Sequence, residues 1–285
     1  MTRREFMVNT LAASSLPLLA ACKTQVPEKK EQKLAQEFPL TDYHVHLDNS
    51  TIDHVLELSV QRGVKFGIVE HAGTKENIYP KVLSTDEELD AYIAMLEGKP
   101  VYKGVQAEWT DWMGCFSKEA LAKLDYVITD AMTMPDKQGT RMKLWEAKED
   151  LGDAQSFMDR YVDWHVEIMS REPIDIFVNI SWLPAKYAAE YDTLWTPARM
   201  QKIIDAAIKY EIAIEISSGF VLPKLPFLRM AKEADLKFAF GTNGRYPKMG
   251  LLDYSIKTAQ QLGLTPADMF VPASNGRKAV QRREY

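Results

Sequence analysis

The chain has 285 residues but only two cysteines. That excludes a disulfide framework or a cysteine-rich zinc module. No run of ~18 apolar residues is present, which excludes an ordinary membrane-spanning helix. A basic excess is missing too: 35 Lys and Arg stand against 40 Asp and Glu, for a net charge of -5. Charge therefore gives no reason to expect nucleic acid, and no acidic block marks a disordered tail. Glycine-rich phosphate loops of the GxGxxG or P-loop kind are absent, which weakens a nucleotide-binding reading. Histidine is scarce, with five copies, so its placement matters. The remaining balance, 46% hydrophobic and 26% charged, is that of an ordinary globular chain.

The first segment reads as an address. Thr2-Arg3-Arg4-Glu5-Phe6-Met7 is a twin-arginine export pattern, and Leu19-Ala20-Ala21-Cys22 matches a lipobox. Their order predicts a signal peptide over 1–21, cleavage before Cys22 and lipidation of its thiol. Residues 22–36 are polar without an apolar period and read as a tether. The protein is thus expected outside the cytoplasm, periplasmic or on the cell surface, anchored to a membrane by lipid. Cys115 is left without an intrachain partner and is expected to be a buried small hydrophobe.

Residues 37–285 carry a repeating beat. Seven apolar runs end in polar residues: 38–47, 64–71, 101–109, 126–132, 174–182, 212–218 and 236–243. Helical patterns fall between most of them. Ser84-Thr85-Asp86-Glu87 is a capping-box pattern. Thr196-Pro197 places a cap and a first-turn proline before Met200, Ile203 and Ile204. Asp153–Arg171 carries Phe157, Tyr161, Trp164 and Ile168 on one stripe. This alternation predicts an α/β fold with a largely parallel sheet. Seven strands fit a closed, TIM-barrel-like β/α barrel better than two domains. A doubly wound open sheet is the alternative. Residues 133–153 read as an extended loop with a short helix over the fourth strand's end.

In such barrels, chemistry gathers at the C-terminal strand ends. Here those ends carry Asp42, His44, His46 and Asp48, then His71, Glu108, Asp130, Asn179, Glu215 and Ser217, and finally Asn243 and Arg245. His44 and His46 alternate on one strand and so share a face, about 7 Å apart along the backbone. Two neutral imidazoles converging there suit a divalent ion such as zinc. Asp42 is expected on the same face, orienting a ligating ring. A buried Glu108 calls for a cation; it is expected as the third ligand or as a bridge between two metals, with an ion pair to Arg245 or Lys103 as the alternative. His71 is expected to serve a second metal or to act as acid or base, or else to be a hydrogen-bonded histidine. His54 reads as a surface residue and His165 as a packing residue.

Together TDYHVHLD, GIVEH, the glutamate of GVQAEW, DYVITDAM, IDIFVN, IEISSG and FGTNGR resemble the polymerase and histidinol phosphatase family of metallohydrolases, over about residues 38–281. The resemblance implies a distorted seven-stranded β/α barrel with up to three metals. His44, His46 and Glu108 would hold the first, Glu108 would reach a second, and His71 would belong to another. The chain departs from that pattern at four ligands. Met132, Asn179 and Arg245 stand where the family has histidines, and Asn243 where it has an aspartate. Amide oxygens ligate weakly and a guanidinium not at all. One ion, zinc or manganese, is therefore expected rather than three, on His44, His46 and Glu108 with Asn243 or water completing the site. Arg245 is expected to clamp a phosphate or carboxylate, Asn179 to touch substrate, and His71 or Asp130 to handle the proton. The expected activity is metal-dependent hydrolysis of phosphoesters on a small anionic substrate. The alternative is an inactive binding protein on the same barrel with at most one structural metal. An amidohydrolase-like barrel is disfavoured, because Asn179 and Ser217 stand where it requires histidines.

Overall fold

The computed structural model describes residues 40–146 and 150–284. The signal segment, the tether and Cys22 lie outside the described residues. Seven parallel strands close into a barrel: β1 (Thr41–Val45), β2 (Lys65–Ala72), β3 (Tyr102–Ala107), β4 (Tyr126–Thr129), β5 (Ile176–Phe177), β6 (Ala213–Ser217) and β7 (Phe238–Gly241). The ring runs β1-β7-β6-β5-β4-β3-β2, and β2 pairs back to β1. Each apolar run in the sequence supplies one barrel strand, and the sheet is closed rather than open. The two-residue strand Val82–Leu83 pairs with His71 and Ala72 at the end of β2, beyond its pairing with β1.

Helices α1 (Ile52–Arg62), α2 (Asp86–Leu96), α3 (Ala154–Arg171), α4 (Pro197–Lys209), α5 (Leu225–Glu233) and α6 (Asp253–Leu262) surround the ring. Their starts are written locally. Thr85 caps α2 by accepting from the Glu88 amide, and the Glu88 carboxylate accepts from the Ser84 amide at 2.7 Å. The box forms one residue later than the sequence pattern suggests. Thr196 caps α4 with Pro197 in the first turn. The apolar stripe of α3 is buried, and His165 packs within it, its ring nitrogens 2.7 and 2.9 Å from the Tyr161 and Ile180 carbonyls. Among the described residues no helix is long and apolar enough to cross a membrane.

The N-terminal half of the barrel is filled by Tyr43, Val69, Tyr126, Ile128, Ile176, Val178, Ala213 and Ala239. The Tyr126 ring lies across the lumen, and its hydroxyl donates to the Tyr43 carbonyl at 2.8 Å. A Cβ at Gly67 would sit 2.3 Å from that hydroxyl, and one at Gly104 would sit 2.5 Å from the ring's Cζ. These two glycines on β2 and β3 therefore exist to admit the tyrosine. Phe270, from the C-terminal segment, closes the mouth with its ring 5.3 Å from that of Tyr43.

The seam between β1 and β7 is thin, one strand pairing of Asp42 with Phe240 and a bridge of Val45 with Gly244 beyond it. Asp42 laces it: one carboxylate oxygen accepts from the His44 and Thr242 amides at 3.1 and 3.0 Å. The other accepts from the Thr242 hydroxyl and the Gly250 amide at 2.5 and 2.7 Å. Burial pushes this carboxyl up to about 6, against the pull of those donors. The β1–β2 register also shifts between Asp42 and Val45, so strict alternation fails there. Tyr43 and His44 both reach the lumen. Asp42 bonds backbone, Thr242 and the loop after β7 instead of orienting an imidazole, which corrects the expectation from alternation.

Two further departures concern surface segments. Thr133–Pro135 pairs antiparallel with Arg141–Lys143, a hairpin where a loop with a short helix was expected. Its turn is made by Asp136, whose side chain accepts from the Gln138 and Thr140 amides, and by Gly139 at φ 84. Cys115, on the 3-10 turn Trp112–Cys115, is half-buried rather than buried.

Candidate metal centre

The expected residues gather at the C-terminal mouth. The rings of His44 and His46 lie 5.2 Å apart. His71, near the end of β2, stacks on His46 at 4.7 Å and on Tyr79 at 3.7 Å. Glu108 follows β3 and places Oε1 2.7 Å from His71 Nδ1. Its other oxygen accepts from the Tyr79 hydroxyl at 3.2 Å and faces the Arg141 guanidinium at 3.5 Å.

Hydrogen bonding divides this group. Buried polar atoms almost always have partners, yet His46 Nδ1 and Nε2, His71 Nε2 and Asp48 Oδ1 have none. His46, Asp48 and His71 each offer a ligand atom within 4.8 Å of the others. Burial, with the neighbouring His44, His71 and Arg245, keeps His46 neutral, well below the usual imidazole range. Glu108 accepts from His71 Nδ1, which fixes the tautomer and leaves Nε2 with a lone pair. Two imidazole nitrogens and a carboxylate oxygen form a donor set that suits a divalent transition ion.

His44 and Glu108, placed in the ligand set by sequence reasoning, stand behind this triple. His44 Nδ1 is 2.8 Å from Glu215 Oε1, and Nε2 is 3.1 Å from Gln106 Oε1. The glutamate reaches in because β7 carries Gly241 there; a Cβ would meet its Oε1 at 1.9 Å. Glu215 Oε2 accepts from the Asn179 amide at 2.9 Å. Gln106 and Asn179 side chains both donate to Asp130 Oδ2, at 3.4 and 3.2 Å. Burial, and next the charge of Glu108, push Asp130 up to about 6. Asn243, expected to complete the site, accepts at its Oδ1 from Arg245 at 2.5 Å. Arg245 is not an open clamp either. Its Nε donates to Asp48 Oδ2 at 2.9 Å, so it holds the triple's carboxylate while still facing the cavity.

That cavity, about 430 Å³, is lined by His71, Tyr79, Asp130, Met132, Arg141 and Arg245 among others. The hairpin brings Arg141 and Lys143 to its wall. Three strand-end residues here have left-handed backbone: Trp109 at φ 65, Asn179 at 52 and Asn243 at 51. Asparagine tolerates this and tryptophan does not; such strain collects at functional sites. Sequence reading left Asp48 out of the ligand set, although it continues the 44, 46 spacing. It also missed Gln106, Tyr79 and Arg141, for which the sequence carries no signal. Glu70, beside His71 but on the opposite side of β2, is buried with Oε2 unpartnered, and burial pushes it up to about 7.

No protein-family model matches the chain, and no curated protein does. Among solved structures, the fold is similar to that of a histidinol phosphate phosphatase from Lactococcus lactis, solved with zinc, L-histidinol and phosphate. The TM-score is 0.61 at 14% identity, over 85% of this chain and 98% of that one. An HpcH/HpaI aldolase from Desulfitobacterium hafniense aligns at TM-score 0.40 and 11% identity, over 84% of this chain and 98% of that one. The first likeness shows the fold alone, a TIM-barrel-like β/α barrel.

Proposed function

We propose that the chain is a metal-dependent hydrolase of small phosphoesters, working with one divalent ion, zinc or manganese, on His46, Asp48 and His71. The observation that carries this reading is the convergence of unpartnered atoms from two imidazoles and a carboxylate within reach of one ion. The bound ion would supply Lewis acidity, lowering the pKa of water and drawing charge from a phosphoryl oxygen.

The chain's own residues do the rest. Arg141, Lys143 and Arg245 line the cavity and favour an anion there. Glu108 and Tyr79 hold the His71 ring in place, one through Nδ1 and the other by stacking. Water oxygen bonds to phosphorus as the bond to the alcohol oxygen breaks. Asp130, on the cavity wall with its carboxyl pushed up to about 6 by burial, delivers the proton that the leaving oxygen needs, and the resulting carboxylate takes up the proton that the attacking water gives up. The histidinol phosphate phosphatase of similar fold was solved with zinc and phosphate, which supports phosphoesters as the first class to test.

One observation favours a second reading, a binding protein without turnover. His44, Glu215, Gln106, Asp130 and Asn179 bond to one another, so they offer no ready second ion site. Elemental analysis with a phosphomonoester panel decides. Near-stoichiometric metal with turnover, both lost in His46→Ala, supports the hydrolase. Metal without turnover supports the binder, and a protein that takes up no metal on reconstitution sinks the hydrolase. The proposal includes export and lipidation; mass spectrometry of the mature N-terminus should read an acylated Cys22.

A further inference from the structure

The barrel end opposite the candidate centre carries cavities that this chemistry does not use. One, of about 400 Å³, is lined by Lys209, Tyr210, Glu211, Arg277, Arg282 and Arg283 together with Asn275. Arg282 pairs with Glu211 at 3.3 Å. Among the described residues, the other three cations have no carboxylate partner. The Arg283 guanidinium donates to the Glu172 and Ser170 carbonyls and lies 5.0 Å from the Tyr210 ring, and the Lys209 ammonium approaches the same ring at 5.0 Å. In a chain of net charge -5, this cleft, with four cations to one carboxylate in its lining, is a local reversal of sign.

An apolar cavity of about 380 Å³ abuts it, sharing Glu211, Asn275 and Arg282. Its rim carries Ile208 and Val271, 44% and 49% exposed. A smaller cavity shares Met269, Phe270 and Val271 and extends to Thr41, the first residue of β1. The chain enters β1 at this same end. A basic cleft beside exposed apolar side chains is the pairing that suits a lipid interface.

We propose that this end of the barrel docks on an anionic membrane surface. Lipid phosphate groups sit among Lys209, Arg277 and Arg283, and Ile208 and Val271 press against the acyl boundary. The mouth with His46, Asp48 and His71 then opens away from the bilayer. The proposal stands apart from the hydrolase reading, because no residue is shared.

The test uses the full chain carrying Cys22→Ser, so that no acyl group contributes, and sedimentation with vesicles. Binding is expected to vesicles containing phosphatidylglycerol and not to pure phosphatidylcholine, weakening as salt rises. Each basic residue near such a surface contributes about fivefold in affinity. Lys209→Glu with Arg277→Glu, both at exposed positions, should therefore lower binding at least about twentyfold. Lys137→Glu, on the exposed hairpin turn at the other end, should change it little. Equal binding to both vesicle types, or no effect of the double reversal, overturns the proposal. So does binding abolished by millimolar inorganic phosphate at constant ionic strength, which would assign the cleft to free phosphate.

Discussion

At the N-terminal end of the barrel, buried acids are engaged. Asp175 accepts from the Ala279 and Val127 amides, both at 3.0 Å, and Glu172 accepts from the Trp112 indole at 2.9 Å. At the C-terminal end, His46, His71 and Asp48 are equally enclosed or nearly so, yet each keeps an atom with no partner. Both ends remove polar groups from water, which is costly unless the loss is compensated. At the first end the protein itself compensates, so those residues belong to the fold. At the second the compensation is incomplete, and a ligand must supply it.

The sharpest way to break this contrast is to exchange roles. His46→Ala should abolish metal uptake and lower phosphoester turnover by at least about a hundredfold. The apo-protein's melting temperature should fall less than in the next variant, since no hydrogen bond of His46 is lost. If apo His46→Ala is instead severely destabilised with its metal retained, the triple is structural. Tyr126→Ala, at the other end, should cost about 3–5 kcal/mol, on the order of 10 °C in melting temperature. Calorimetry checks it, and metal stoichiometry below the transition should be unchanged.

The seven strands were legible because each barrel strand is buried and reads as a short apolar run. The helix starts were legible because caps are local chemistry, to within one residue at Thr85. The gathering of His44, His46, His71 and Glu108 at one mouth followed from the strand-end rule. Their division of labour did not. Whether Glu215 reaches His44 depends on a missing side chain at Gly241, a contact across β6 and β7 that no local pattern records. Whether Arg245 faces substrate or Asp48 depends on the path of the loop after β7. The alternation argument failed at Asp42 because the register shift that turns both Tyr43 and His44 inward has no sequence signature. Arg141 arrives on a hairpin whose two strands were read as loop.

A third variant refines the comparison within the metal end. Glu108→Gln keeps the size of the side chain and its bond to Tyr79, but weakens its hold on His71 Nδ1. Metal affinity should fall tenfold to a hundredfold, about the range for residues that orient a ligand. Competition with a chelator measures it. An unchanged dissociation constant would mean that His71 needs no orienting partner.

The last effect comes from a single acid at the other end and is spread over several pH units. Burial raises Glu172 from 4.5 to about 8, against the Trp112 hydrogen bond and the charges of Arg171 and Arg283. Between those values the native state keeps a proton that the unfolded chain releases, so this stabilisation is fully present below 4.5 and is lost as pH climbs through about 8. Each pKa unit is about 1.4 kcal/mol, so the loss across the window is on the order of 5 kcal/mol for this group. Glu172→Gln retains an acceptor for the indole and has nothing to ionise. Its melting temperature should therefore decline less steeply than wild type as the medium goes from mildly acidic to mildly basic, with the two curves converging toward low pH. Calorimetric scans across that range read the slope directly. Parallel curves would show that Glu172 is ionised in the fold, and the engaged end of the barrel would then hold a charge that its hydrogen bonds alone must stabilise.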